Sequence, residues 1–178
     1  KQDVDANLVF VGKQGWMVKS LVERLRQHAE RNKRLFWLEG ISDEYLEKIY
    51  TTSTCLIAAS EGEGFGLSLI ESAKHGLPII ARDIPVFREV SEGHAFFFKG
   101  FEPQALTEAI RKWLELYRQG QAPRSEKMPR LDWKQSAKQL LQCILGGETH
   151  LWASSTEYVE QNLHNKSCGR LKKMDTNV

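Results

Sequence analysis

Two glutamates, Glu63 and Glu71, lie eight residues apart on either side of the run GFGLSLI. Gly62, Gly64 and Gly66 leave the backbone bare there, so amide N–H groups can approach a ligand closely. A helix starting after such a loop presents unsatisfied N–H groups at its first turn, which suits a phosphate. A carboxylate set directly on that phosphate would repel it, so the two acids have another task. Carboxylates accept paired hydrogen bonds from vicinal hydroxyls. Amides for phosphate beside carboxylates for diols fit a nucleoside diphosphate sugar. The bland reading is a loop acid followed by a solvated helix acid.

The elements that must position these groups follow from apolar periodicity. Leu8–Gly12 (LVFVG) reads as a buried strand ending in glycine, and Val18, Leu21, Val22, Leu25 and His28 predict a helix over 18–31. Leu35–Leu38 is the next strand. Ser42 followed by Asp43 and Glu44 marks a helix start, with acids where the helix dipole favours them. Cys55–Ala59 is a third strand, leading into the glycine loop and its helix. Gly76 closes that helix and Pro78 opens the strand PIIA. A short helix from Pro85 to Val90, a strand over Ala95–Phe98 and an amphipathic helix from Pro103 to Tyr117 complete the pattern. Gln119–Arg130 is polar and reads as a connection, and Asp132 caps a last helix through Leu145. Trp113 and Trp133 are expected in the core, and Arg88 with Glu89 as an ion pair.

Strand–helix alternation with continuous apolar strands predicts an α/β fold, a Rossmann-like parallel sheet with helices on both faces. Such sheets bind ligands at the carboxyl ends of their strands, where Gly12 and the Glu61–Gly66 loop both lie. Residues 1–145 read as one domain, and 146–178 as a polar tail without periodicity, irregular or disordered. A formal net charge of +2 speaks against nucleic acid as a partner. No apolar run approaches the length of a membrane span. Three cysteines without metal or redox spacing point to reduced thiols and a cytoplasmic location.

Several motifs, in order from Asn7 to Leu145, resemble the retaining GT-B glycosyltransferases, family four (glycosyl transferases group 1). Glu63-Gly64-Phe65-Gly66-Leu67 with Glu71 is similar to that family's E-x7-E motif. LVFVG, LFWLEGISDEYLEKIY and HGLPIIARDIPVFREV resemble its strand, helix and turn signatures. GKQGW at Gly12–Trp16 is most like its bacterial mannosyl- and related sugar transferases. Glu61, ten residues before Glu71, does not fit the motif spacing.

The resemblance implies the C-terminal, donor-binding half of a GT-B fold and an enzyme of the hexosyltransferase class. It would transfer sugar, mannose by the GKQGW likeness, to a saccharide or lipid-linked acceptor in envelope polysaccharide synthesis. Glu71 would hold the ribose hydroxyls, and Glu63, the catalytic candidate, the hydroxyls of the donor sugar. Amides of Gly64, Phe65, Gly66 and Leu67 would hold sugar and diphosphate. Gly12 and Lys13 would line the phosphate side, with Leu38 to Ile41 flanking the base. The family needs no metal or other cofactor beyond its nucleoside diphosphate sugar substrate. A basic pair on the family's first strand and helix is absent here, as is the N-terminal acceptor domain. The fragment alone is therefore expected to be inactive, and the full enzyme to associate peripherally with the inner face of the membrane. The alternative is a non-catalytic nucleotide-binding or regulatory module of the same fold.

Overall fold

The computed structural model describes residues 5–15 and 18–145; the expected tail of 146–178 lies outside them. Five parallel strands alternate with helices: β1 (Leu8–Val11), α1 (Lys19–Arg26), β2 (Leu35–Leu38), α2 (Asp43–Thr52), β3 (Leu56–Ala58), α3 (Leu67–Lys74), β4 (Ile79–Arg82), α4 (Pro85–Ser91), β5 (Phe96–Phe98) and α5 (Pro103–Arg118). Residues up to Pro129 form one compact unit, and a second begins at Arg130. The described part of the second unit holds α6 (Trp133–Leu145). Its start is a reciprocal capping box, in which Gln135 N donates to Asp132 Oδ1 (2.7 Å) and Asp132 N to Gln135 Oε1 (2.8 Å). Trp133, expected in the core, is the first residue of that helix and is 91% exposed.

The strands form two hydrogen-bonded sheets rather than one. β1 pairs with β2, Leu8 opposite Leu35 through Val11 opposite Leu38. β4 runs between β3 and β5, Ile79 opposite Leu56 and Ile80 opposite Phe96. All four β1 residues are exposed although all are apolar, whereas all four β4 residues are buried.

The central strand β4 shows why helices cover both faces. Side chains alternate along a strand, so Ile79 and Ala81 enter one cluster with Leu69 and Ala73 of α3 and Phe87 of α4. Ile80 points the other way, to Ala109 and Trp113 of α5 and Phe98 of β5. Trp113 is fully enclosed, as its place on the apolar stripe of α5 predicts. The polar-looking connection after α5 is a packed strap, not a loose loop. A single 3-10 turn at Ser125–Lys127 buries Ser125, whose hydroxyl donates to Leu77 O (2.8 Å), and Met128 joins the α3 cluster. α1 ends at Arg26, five residues before the predicted end. Its chain instead turns through Asn32 (φ 59), where the Glu30 carbonyl collects the amides of Lys33, Arg34 and Leu35.

Two basic residues are committed to the end of this sheet. Arg82 donates to Ala59 O through Nε (3.1 Å) and Nη2 (3.0 Å) and to Gly100 O through Nη1. Its guanidinium also lies over Phe98 and Phe101. Arg88 pairs with Asp83 rather than with Glu89. Both Asp83 oxygens face it, Nη2 to Oδ2 at 2.9 Å, from a position two residues before α4 starts. Lys99 stands 3.7 Å away, and the Arg88 guanidinium rests over Phe97. The Arg88 hydrogen bonds chiefly hold the Asp83 carboxyl below its ordinary range.

A carboxyl whose folded pKa lies below its unfolded value of about 3.9 adds stability above that value and loses it as pH falls through the folded one. Asp83→Asn is therefore expected to lower the melting temperature at pH 7 by roughly 2–4 °C. The gap to the wild type should close as pH falls through the lowered pKa of Asp83. Thermal melts of both proteins across that range check this.

Candidate functional site

The loop between β3 and α3 is built around Gly66. Its backbone is left-handed (φ 85, ψ 45), and it caps α3 without a side chain. A Cβ there would meet the buried ring of Phe87 at 3.1 Å, and Glu63 Cγ at 3.9 Å. Glycine is thus required both by conformation and by the approach of α4. Gly62 and Gly64 have no atom within 4 Å of where a Cβ would stand, so this backbone faces open space. Phe65 and Leu67 are exposed at 57% and 62%, unusual for large apolar side chains beside a core.

Helical spacing then sorts the acids from the core. Leu69, Ser72 and Ala73 turn inward, while Leu67, Glu71 and Lys74 share the outer face. Glu71 Oε2 accepts a 2.7 Å hydrogen bond from the Tyr50 hydroxyl near the end of α2. The Tyr50 ring stacks on His75, centroids 5.4 Å apart and 7° from parallel. Lys74 Nζ reaches Glu47 Oε1 at 3.5 Å, a second and more exposed tie between α2 and α3. Burial first, then the hydrogen bond and charge of Glu71, hold the Tyr50 phenol above its ordinary range. It stays protonated at neutral pH and acts as a donor.

Gly12 and Lys13 follow β1, Leu38 ends β2, and Ile41 lies three residues beyond it. Gly12 N donates to Leu38 O (3.0 Å), and Gly12 O accepts from Trp37 Nε1 (2.8 Å). Gln14 N donates to Glu39 Oε1 (3.1 Å), closing the turn. Beside it lies a depression of about 150 Å³, lined by Phe10, Lys13, Val18, Leu25 and Trp37 among others. Lys13 is exposed. Arg82, in contrast, is withdrawn from any ligand by its three backbone bonds. Ile41 immediately precedes Ser42, whose hydroxyl accepts from Tyr45 N and caps α2. The same helix carries Tyr50, the partner of Glu71, about 12 Å further along its axis.

Tyr50 and Trp37 are the residues that motif reading missed as participants. Tyr50 sits with Leu46 and Ile49 on the half-buried face of α2, so periodicity reports packing and says nothing of its hydroxyl. The partner of that hydroxyl is 21 residues away.

Residues 1–140 match the family described as glycosyl transferases group 1. The chain belongs to this family. Its similar proteins include several glycosyltransferases. Over 141 residues it is 54% identical to the serotype-specific mannosyltransferase WbdA of Escherichia coli, covering 79% of this chain and 17% of that protein. It is 30% identical over 82 residues to the O-antigen chain mannosyltransferase RfbU of Salmonella typhimurium, covering 46% and 23%. With the O-antigen biosynthesis glycosyltransferase WclY of Escherichia coli it shares 28% over 79 residues, covering 44% and 22%. The matched segment spans less than a quarter of the length of each. In a group 1 glycosyltransferase domain, the two parallel sheets and their covering helices are the Rossmann-like α/β fold that the strand pattern predicts.

The loop geometry separates its glycines. Gly66→Ala is expected to cost about 1–3 kcal/mol in urea unfolding, from a strained left-handed residue pressed on Phe87. Gly64→Ala, in open space, should stay within about 0.5 kcal/mol of wild type.

Proposed function

We propose that this unit is the donor-binding half of a retaining glycosyltransferase that takes a nucleoside diphosphate sugar. The observation that carries the reading is the Glu63–Glu71 pair. One carboxylate stands over an open glycine loop, the other on the outer face of the helix that the loop starts. Glu71 accepts the two ribose hydroxyls, and Glu63 those of the sugar. Amides from Gly64 to Leu67, with the first turn of α3, face the diphosphate and stabilise its charge as it leaves. Gly12 and Lys13 stand on the phosphate side, with Leu38 and Ile41 beside the base. No metal or other cofactor is required, since the amides and a basic group supply the positive charge.

The names of the relatives support mannose as the sugar and an O-antigen saccharide as the acceptor. A non-catalytic nucleotide-binding module is the weaker reading. A mannosyltransferase match at 54% identity over 141 of 178 residues necessarily extends across both acids and the loop between them. The split sheet fits an incomplete half. Among the described residues β1 pairs with β2 alone and leaves four apolar residues exposed, in a class of sheet that is ordinarily buried on both faces. A further strand and helix, and an acceptor domain, are proposed to come from the longer protein, acting in the cytoplasm at the inner face of the membrane.

Losing a hydrogen bond to a charged group costs about 1.5–3 kcal/mol, tenfold or more in affinity. Glu71→Ala should therefore weaken nucleoside diphosphate binding about tenfold or more, read by calorimetry on this chain with GDP, UDP, ADP and CDP in turn. Glu63→Ala should leave that affinity nearly unchanged and lower turnover in the full-length protein. Unaltered nucleotide affinity in Glu71→Ala would remove the ribose assignment.

A further inference from the structure

Glu71 is not a free carboxylate on a helix surface. One of its oxygens, Oε2, is already engaged by Tyr50 at 2.7 Å. The Tyr50 ring is itself held on one face. His75, the residue that ends α3, lies parallel to it at 5.4 Å. Tyr50 is half buried and belongs to α2, whose contact with α3 is reinforced by Glu47 and Lys74. The hydroxyl is therefore presented from a different helix, at a fixed height along α3, to one particular oxygen.

The geometry points to Tyr50 as a positioning residue for the nucleotide site: its hydroxyl fixes the Glu71 carboxylate in one rotamer and leaves Oε1 turned outward for the ribose diol. This rests on the proposed role of Glu71 and adds to it the group that sets the direction of the carboxylate. A glutamate side chain has three rotatable bonds, and an exposed one samples many orientations. A ligand that needs one orientation must bear the entropy of selecting it, unless the protein has selected it beforehand. A carboxylate has lone pairs enough to accept the phenol and two ligand hydroxyls at once. Tyr50 thus need not leave when the ribose arrives. The phenol suits the task chemically as well. Its burial and its acidic neighbour keep it protonated, so the interaction is a charge-assisted hydrogen bond from a neutral donor. His75 contributes by holding the ring flat against the end of α3.

A merely structural Tyr50 and a positioning one differ in what they do to ribose discrimination. The probe is whichever of GDP, UDP, ADP and CDP binds most tightly, compared by calorimetry with its 2′,3′-dideoxy counterpart. Wild type is expected to prefer the ribonucleotide about tenfold or more. Tyr50→Phe keeps the ring and its stacking on His75, and should keep the melting temperature. It should lose about five- to tenfold in ribonucleotide affinity and little in dideoxynucleotide affinity, so the preference shrinks. In a Glu71→Ala background, Tyr50→Phe should have no further effect, because the carboxylate through which it acts is gone. An undiminished ribose preference in Tyr50→Phe overturns the inference while leaving Glu71 as the ribose ligand. Equal loss for both nucleotides, or additive losses in the double variant, also overturns it. A wild type that binds both nucleotides equally would instead defeat the ribose role of Glu71 itself, and Tyr50's role with it.

Discussion

The contact between Gly66 and Phe87 is the constraint on which the site depends. β3 ends at Ala58, and after the glycine loop the chain must turn into α3 at Leu67 while Phe87 of α4 packs against the same corner. Only a left-handed residue without a side chain reverses the chain in that space. Because Gly66 sets where α3 begins, it also sets the helical phase of every residue in α3. Leu69 and Ala73 point into the core, and Glu71 points out. Moving the start of α3 by one residue would rotate Glu71 by about 100° and break its bond to Tyr50. The loop is therefore not a flexible linker between two acids but the device that fixes their separation.

Much of this was readable from residue types. Ser42 capping α2, Gly76 ending α3 and Asp132 starting α6 are local signals, decided within a few residues, and each stands where its chemistry predicts. The five strands were legible because parallel strands are apolar throughout and short. The features that escaped depended on contacts that residue type and periodicity do not specify. Arg88 pairs with Asp83, five residues back and just before α4, rather than with its neighbour Glu89, a choice between two nearby acids that spacing alone leaves open. The burial of Ser125 and Met128 in a polar stretch comes from a space beside α3 that no local pattern describes. Trp133 reads as a core residue on spacing, yet stands at the first, exposed position of α6.

The same limit applies to the site. The E-x7-E spacing of the two candidate acids is legible because a loop and one helical turn set it locally. Arg82 stands near a strand end, yet its guanidinium is committed to Ala59 and Gly100, tying the β3 end to the turn after β5. Residue type and position alone do not reveal that commitment. Lys13 keeps an exposed side chain at the end of β1.

If the glycine loop and the outer face of α3 form the nucleotide site, amide-resolved NMR titration of this chain with a ribonucleoside diphosphate will show it most directly. The largest shifts are expected at Gly64, Phe65, Gly66, Leu67 and Glu71, with smaller ones at Gly12 and Lys13. Shifts confined to the apolar depression between β1 and α1, with the Gly64–Glu71 amides unmoved at saturation, would contradict that assignment.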